Sequence, residues 1–207
     1  MRAASLWHMA LRRLFRQRSA IVGMTMLGLL VFMAIFAPVI APYDPEQVLI
    51  GVEDVSRREP PCIHLLGCDP AKPQHLMGID GNVRDLFSRV IYGARVSLLV
   101  GFTTMGFAII VGMVLGSVAA YTGGWVDIII MRIMDVILAF PSLLLALAIV
   151  AVLGPGLTNA MLAIGIVWIP AYARIIRASV LSIREQEFVE ASQALGASTP
   201  HILFKRI

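Results

Sequence analysis

Hydrophobic and polar positions along this chain fall into long blocks rather than a short period. Three stretches carry no charged residue at all: Ser19 to Tyr43, Val96 to Val126 and Val136 to Ala173. A helix rises about 1.5 Å per residue, and about 20 residues cross the roughly 30 Å hydrocarbon core of a bilayer. The first two stretches each predict one membrane-spanning helix. The third is too long for a single crossing and contains Gly154-Pro155-Gly156, strong turn punctuation. Dividing it there predicts two further spans. The four expected spans are the 19–43 region and about 97–121, 132–153 and 157–175. Within them Pro141 and Pro170 are expected to kink their helices. No alternating segments of barrel-strand type are visible. The pattern therefore predicts an all-α integral membrane protein, a polytopic helix bundle.

Shorter periodicities mark the segments outside the spans. Leu6, Trp7, Ala10, Leu11, Leu14 and Phe15 fill one helical arc, against Arg12, Arg13 and Arg16, which predicts an amphipathic helix on the membrane surface. Leu86, Phe87, Val90, Ile91 and Ala94 recur against Arg84, Asp85, Arg89 and Arg95, predicting a second such helix over 83–98 before span two. The organisation expected is an N-terminal segment with the first span (1–43), a polar loop with an amphipathic helix (44–95), and a transmembrane region (96–207). The N-terminal apolar run exceeds the length of a signal-peptide core and ends at Pro38 and Pro42, so it reads as an anchor and not a cleaved leader.

Composition agrees with the blocks. The apolar set makes up 58% of 207 residues and charged residues only 14%, with mean hydropathy +0.84. That is too little charge to cover a soluble surface. The net charge of +4 is not gathered into one long stripe, which argues against a nucleic-acid partner. Its distribution instead sets the expected orientation. Arg2, Arg12, Arg13, Arg16 and Arg18 precede the first span, and Arg174, Arg177, Arg184, Lys205 and Arg206 follow the last. Both basic ends belong on the cytoplasmic side, as an even number of spans requires.

Candidate chemistry is sparse. Cys62 and Cys68 lie in the loop with His64 and His75. A disulfide, free thiols and a zinc set are all compatible with this spacing. Arg132 and Asp135 stand three apart at the start of the third span. They can pair as an interfacial ion pair, with a proton or ion relay as the alternative. Gly101, Gly106, Gly112, Gly116 and Ser117 give span two a surface on which another helix can approach closely. The only lysines, Lys72 and Lys205, lie outside any phosphate-loop pattern, so the chain has no nucleotide site of that kind. No nucleophile–base set suggests hydrolysis. No cofactor or catalytic residue is expected, and the substrate-binding residues stay unassigned.

Beyond the last span, Glu187-Phe188-Val189-Glu190-Ala191-Ser192-Gln193-Ala194-Leu195-Gly196 predicts a short helix, with Phe188, Ala191, Ser192 and Leu195 on one face and a glycine stop. Thr199-Pro200 then predicts the start of another helix. Such a pair of short helices suits docking into a groove of another protein.

Glu190-Ala191-Ser192-x3-Gly196 resembles the EAA loop of inner-membrane permease subunits of binding-protein-dependent ABC importers. Other stretches are similar to the dipeptide and oligopeptide branch: His75-Leu76-Met77-Gly78-Ile79-Asp80, Arg84-Asp85-x2-Ser88-Arg89-x2-Tyr92-Gly93-Ala94-Arg95, Gly123-Gly124-Trp125-x-Asp127, and Asp135-x4-Phe140-Pro141. Ser192 stands where the branch has a second Ala, Val83 where it has Gly, and the Cys62–Cys68 segment departs from its pattern. The resemblance implies a non-enzymatic permease subunit of a peptide importer in the cell inner membrane, with its N-terminus cytoplasmic. It implies an EAA coupling loop over 185–207, in which Glu187, Glu190, Ala191, Ser192 and Gly196 engage an ATPase. The implied partners are a second permease subunit, two cytoplasmic ATP-binding subunits, an extracytoplasmic solute-binding protein and the lipid bilayer. Members of the family have six spans, so this chain is expected to cover about the first two-thirds of such a subunit. The competing expectation is an ion-coupled secondary transporter, which needs carboxylates near mid-membrane.

Overall fold

The computed structural model describes residues 14–196, excepting the side chains of Leu66, Glu190, Ser192 and Gln193. Among the described residues the α-helices follow in the order α1 (Arg18–Ile40), α2 (Leu86–Thr122), α3 (Gly124–Leu138), α4 (Ser142–Leu153), α5 (Leu157–Arg184) and α6 (Glu187–Ala194). Among the same residues there is no β-strand, only isolated bridges. The fold is all-helical. α1, α2 and α5 are each long and apolar enough to cross a membrane, and α3 with α4 forms a pair bent by 94°.

The break between α3 and α4 corrects the expected kinked span. Its cause is local. Pro141 cannot donate the next helical hydrogen bond, and its ring disfavours a helical residue before it. Pro141 adopts an extended ψ of 125° and restarts the chain as α4. Pro170, by contrast, lies within α5 without ending it. The turn at Gly154-Pro155-Gly156 forms where expected. Gly154 has φ 90°, and the Asn159 amide donates to the carbonyls of Leu153 (2.9 Å) and Gly154 (3.0 Å), closing the end of α4. The amphipathic helix expected over 83–98 is not a separate element. Val83 takes φ 57°, and the helix that begins at Leu86 continues unbroken to Thr122. The amphipathic N-terminal segment lies outside the described residues save its last few positions.

The chain divides into two compact units, Met1–Leu99 and Val100–Ile207. In the first, Leu49, Ile79 and Val83 form a small buried cluster with Tyr43 and Val55 against it. α1 also carries Pro38. A proline at this position leaves the carbonyl four residues earlier without its helical donor. That carbonyl belongs to Ala34, and Arg95 supplies the missing bond through Nε at 2.5 Å, with a second bond from Nη2 to Ile35 at 3.2 Å.

In the second unit the core gathers Ala108, Met134, Ile169 and Ala173, with Val111, Leu115 and Tyr172 packed around them. Lipid removes the hydrophobic drive for helix association, so close backbone contact must replace it. Gly112 and Gly116 provide that contact. A methyl group on Gly116 would lie 2.4 Å from the Ala173 carbonyl oxygen, and one on Gly112 would lie 2.7 Å from Cβ of Tyr172. α5 therefore lies directly on the small-residue face of α2.

Candidate coupling site and ion-pair groove

α5 ends at Arg184, and α6 begins at Glu187. The connection is tight. The Gln186 amide donates to the Ile183 carbonyl at 3.0 Å, and the Val189 amide to the Gln186 carbonyl at 2.9 Å. Val189 is fully buried. Of the face read from the sequence, Phe188, Ala191 and Leu195 are all exposed. Glu187 is exposed as well. Gly196 follows with φ 80°, a left-handed conformation that favours glycine at a helix stop. The side chains of Glu190 and Ser192, and the helix expected from Thr199, lie outside the described residues.

Arginines tie α5 to its neighbours. Arg184 Nη1 donates to the carbonyls of Ala120 (3.0 Å) and Tyr121 (3.3 Å). These belong to the last turn of α2, whose carbonyls lack helical partners and where the helix dipole favours a cation. Arg177 grips Asp127 with two parallel bonds of 2.6 Å, the bidentate geometry that makes such pairs strong. Arg174 Nη2 reaches Asp135 Oδ1 at 2.6 Å. The expected Arg132–Asp135 pair is thus corrected: the partner of Asp135 is Arg174, brought in from α5. Arg132 faces the same groove of about 410 Å³, which Asp127, Asp135, Arg174 and Arg177 also line. Charge scarcity was the available signal. Asp127, Arg132 and Asp135 are the only charges between Arg95 and Arg174, and acids at a membrane segment need partners. Spacing within one helix could not reveal a partner from another.

In the first unit, a closed ring of hydrogen bonds joins residues that sequence spacing left unconnected. The Tyr43 amide donates to Ser88 Oγ (3.1 Å), and the Ser88 amide donates to Asp85 Oδ2 (2.7 Å). Asp85 Oδ1 meets His75 Nδ1 (2.9 Å), His75 Nε2 meets Glu53 Oε2 (3.1 Å), and the Tyr43 hydroxyl donates to Glu53 Oε1 (3.0 Å). His75, Asp85 and Ser88 are buried, and the Tyr43 ring stacks on His75. Burial, together with the bond to Glu53, pushes the Tyr43 phenol up to about 12. Outside the ring, burial acts to raise the Asp80 carboxyl. The amides of Arg84 and Asn82 and the Arg89 guanidinium outweigh it and hold the group below the usual carboxylate range.

The ring also decides between the readings of the cysteines. Cys62 and Cys68 are joined as a disulfide, with Cα atoms 5.4 Å apart. Cys62 exchanges two backbone hydrogen bonds with His75 (2.9 and 3.0 Å). His64 Nε2 faces the Lys72 carbonyl at 2.8 Å. With both sulfurs joined and His75 held by carboxylates, these four residues do not assemble as a zinc set. Among the described residues no group of three or more His, Cys, Asp or Glu is placed to hold a metal ion.

Two family models match this chain. Residues 108–207 match the binding-protein-dependent transport system inner membrane component, and residues 5–61 match the N-terminal TM domain of oligopeptide transport permease C. The chain belongs to this permease family. The relatives agree. The chain is 40% identical over 99% of its length to a dipeptide transport system permease protein, DppC, of Alkalihalophilus pseudofirmus, covering 63% of that protein. It is 42% identical over 90% of its length to the di/tripeptide permease DppC of Pseudomonas aeruginosa, covering 59%. It is 40% identical over 97% of its length to the glutathione permease GsiD of Escherichia coli, covering 62%. The chain spans about three-fifths of the length of these curated relatives. Family membership identifies a multi-pass membrane permease component and not an enzyme. α5, α6 and the ion-pair groove all fall within the inner membrane component match, whereas the disulfide-closed turn lies between the two matched segments.

Proposed function

We propose that this chain is a membrane-spanning permease subunit of an ABC importer for dipeptides or oligopeptides. Its N-terminus is cytoplasmic, the 44–85 segment lies outside, and α6 with the residues after it forms the coupling loop. A second permease subunit completes the translocation path. An extracytoplasmic solute-binding protein delivers the peptide, and two cytoplasmic ATP-binding subunits engage Glu187, Glu190, Ala191, Ser192 and Gly196. The observation that carries the reading is the 40% identity over 99% of the chain to a dipeptide permease subunit. The geometry fits it: a rigid α5, held to α2 and α3 by arginines, runs straight into a short exposed helix. A docked ATPase could push on α6 and move α5 as one body.

The ion-coupled alternative loses support at the carboxylates. Asp127 and Asp135, the acids within the helices of the second unit up to Arg184, are each paired to an arginine. A proton or sodium relay needs an acid that can give up its arginine partner altogether and take up the ion in its place. The decisive experiment is reconstitution of the full-length gene product with its co-encoded permease, ATPases and binding protein in liposomes. Uptake of a labelled dipeptide should require ATP inside and binding protein outside. Uptake driven by a proton or sodium gradient without ATP would overturn the proposal.

A further inference from the structure

We propose that Asp135 is a shared carboxylate that exchanges partner between Arg174 of α5 and Arg132 of its own helix. The exchange lets α5 shift against α3 without leaving the acid unpaired. It deepens the permease reading above, and rests on it for the idea that α5 moves.

The two ion pairs of the groove differ in kind. Asp127–Arg177 is bidentate at 2.6 Å, with the side chains 19% and 34% exposed. Asp135–Arg174 is a single bond at 2.6 Å, with both side chains about half exposed (50% and 52%). The second pair has less geometry to lose and is the one that opens first when α5 is displaced. Asp135 Oδ2 accepts no hydrogen bond among the described residues, so the carboxylate has an oxygen available for a second donor. Arg132 stands three residues before Asp135, where side chains of one helix meet. It lines the same groove, and among the described residues it forms no ion pair.

These facts together make Arg132 an alternative partner already in reach. An acid at a membrane segment is costlier without a cationic partner than with one. Were Arg174 the only cation within reach of Asp135, their pair would hold α5 against α3. With Arg132 waiting, Asp135 keeps a cation in both positions, and α5 swings away from α3 at the level of Arg174 while the bidentate Asp127–Arg177 pair stays closed as the pivot. The two arginines therefore have opposite roles. Arg174 favours the arrangement with α5 close to α3, and Arg132 favours the arrangement with α5 released. Both are positioning residues and not transport-path ligands.

That opposition supplies the test. Spin labels are placed at Ile129→Cys on α3 and Ile175→Cys on α5, both exposed positions, in the full-length subunit assembled with its partners in nanodiscs. Arg174→Gln should shift the distance distribution toward the longer component severalfold. Arg132→Gln should shift it severalfold toward the shorter. Both variants should lower peptide uptake relative to ATP hydrolysis. Asp135→Asn should abolish the difference between them. A merely structural pair of arginines would move the distribution the same way in both variants. That result, or an unmoved distribution, or opposite shifts that persist in Asp135→Asn, overturns the exchange. Opposite shifts in an assembly that fails to take up peptide would support the exchange and count against the peptide-importer reading instead.

Discussion

Gly116 has no room for a side chain, because a Cβ there would sit 2.4 Å from a backbone carbonyl oxygen that cannot rotate away. Gly116→Val should destabilise the second unit by about 1–3 kcal/mol, the usual cost of overpacking. Gly101→Ala, at a position with open space around it, should cost far less. Denaturant unfolding in detergent measures both. Tyr43 gives a second residue-scale test. Its phenol is pushed up from 10.0 to about 12 by burial and by Glu53, so the folded state holds that proton more tightly than the unfolded chain. The stabilisation is complete below pH 10 and is lost as pH rises from 10 toward 12. In Tyr43→Phe that component of the decline should vanish, and phenolate absorbance of the wild type should show one late-titrating tyrosine. At this scale the sequence was least informative. Gly112 and Gly116 were recognisable as a packing surface because small residues at i and i+4 share a helix face. Arg132 and Asp135 were read as a pair from the same rule. The true partner, Arg174, comes from a distant helix, and only the packing of α5 on α3 decides between them.

The short helix after α5 was legible because its signals are local. A glycine in the left-handed region ends α6, and the chain before it is a short helix, as the residues near Gly196 imply. That Val189 is the buried position was not legible, since so short a pattern cannot specify which side of a helix meets the rest of the chain. Gly196→Pro replaces a φ of 80° with a ring that demands about −65°, and Ala191→Trp adds bulk at an exposed position of α6. In the full-length subunit both should leave membrane insertion intact. Each should reduce co-purification of the ATPase severalfold and raise the ATP hydrolysed per peptide imported. Wild-type uptake in both would mean that α6 is an ordinary connecting helix. The spans follow the same division between local and distant causes. Uncharged runs located α1, α2 and α5, because a bilayer permits nothing else of that length. The sharp break at Phe140-Pro141 read only as a kink, since a proline can either end a helix or lie within one, as Pro170 does in α5. The 83–98 periodicity was real but belonged to the first turns of α2, which amphipathy alone cannot distinguish from a separate surface helix.

For the chain as a whole, the broken α3–α4 pair sets the topology. α1, α2 and α5 are each long and apolar enough to cross; three crossings alone, an odd number, would place the arginines before α1 and those at the end of α5 on opposite sides. Basic residues flanking spans are retained in the cytoplasm, and both groups are strongly basic: Arg16 and Arg18 at one end, Arg174, Arg177 and Arg184 at the other. The conflict disappears if α3 and α4 together make one crossing despite their 94° bend, giving four crossings and two cytoplasmic ends. A re-entrant pair would return to the side it left and force one arginine group outside. Two measurements separate these arrangements. After mild reduction, Cys62 and Cys68 should react with a membrane-impermeant thiol reagent in intact cells, because the 44–85 segment lies outside in the four-crossing arrangement; reaction only after lysis would reverse the orientation. Reporter fusions at Gly51, Gly123, Pro155 and Arg184 should then read out, in, out, in. A re-entrant pair would give out, in, in, out, so the reporter at Pro155 carries the decision: an external signal there means that the chain crosses the membrane through a helix broken at Pro141.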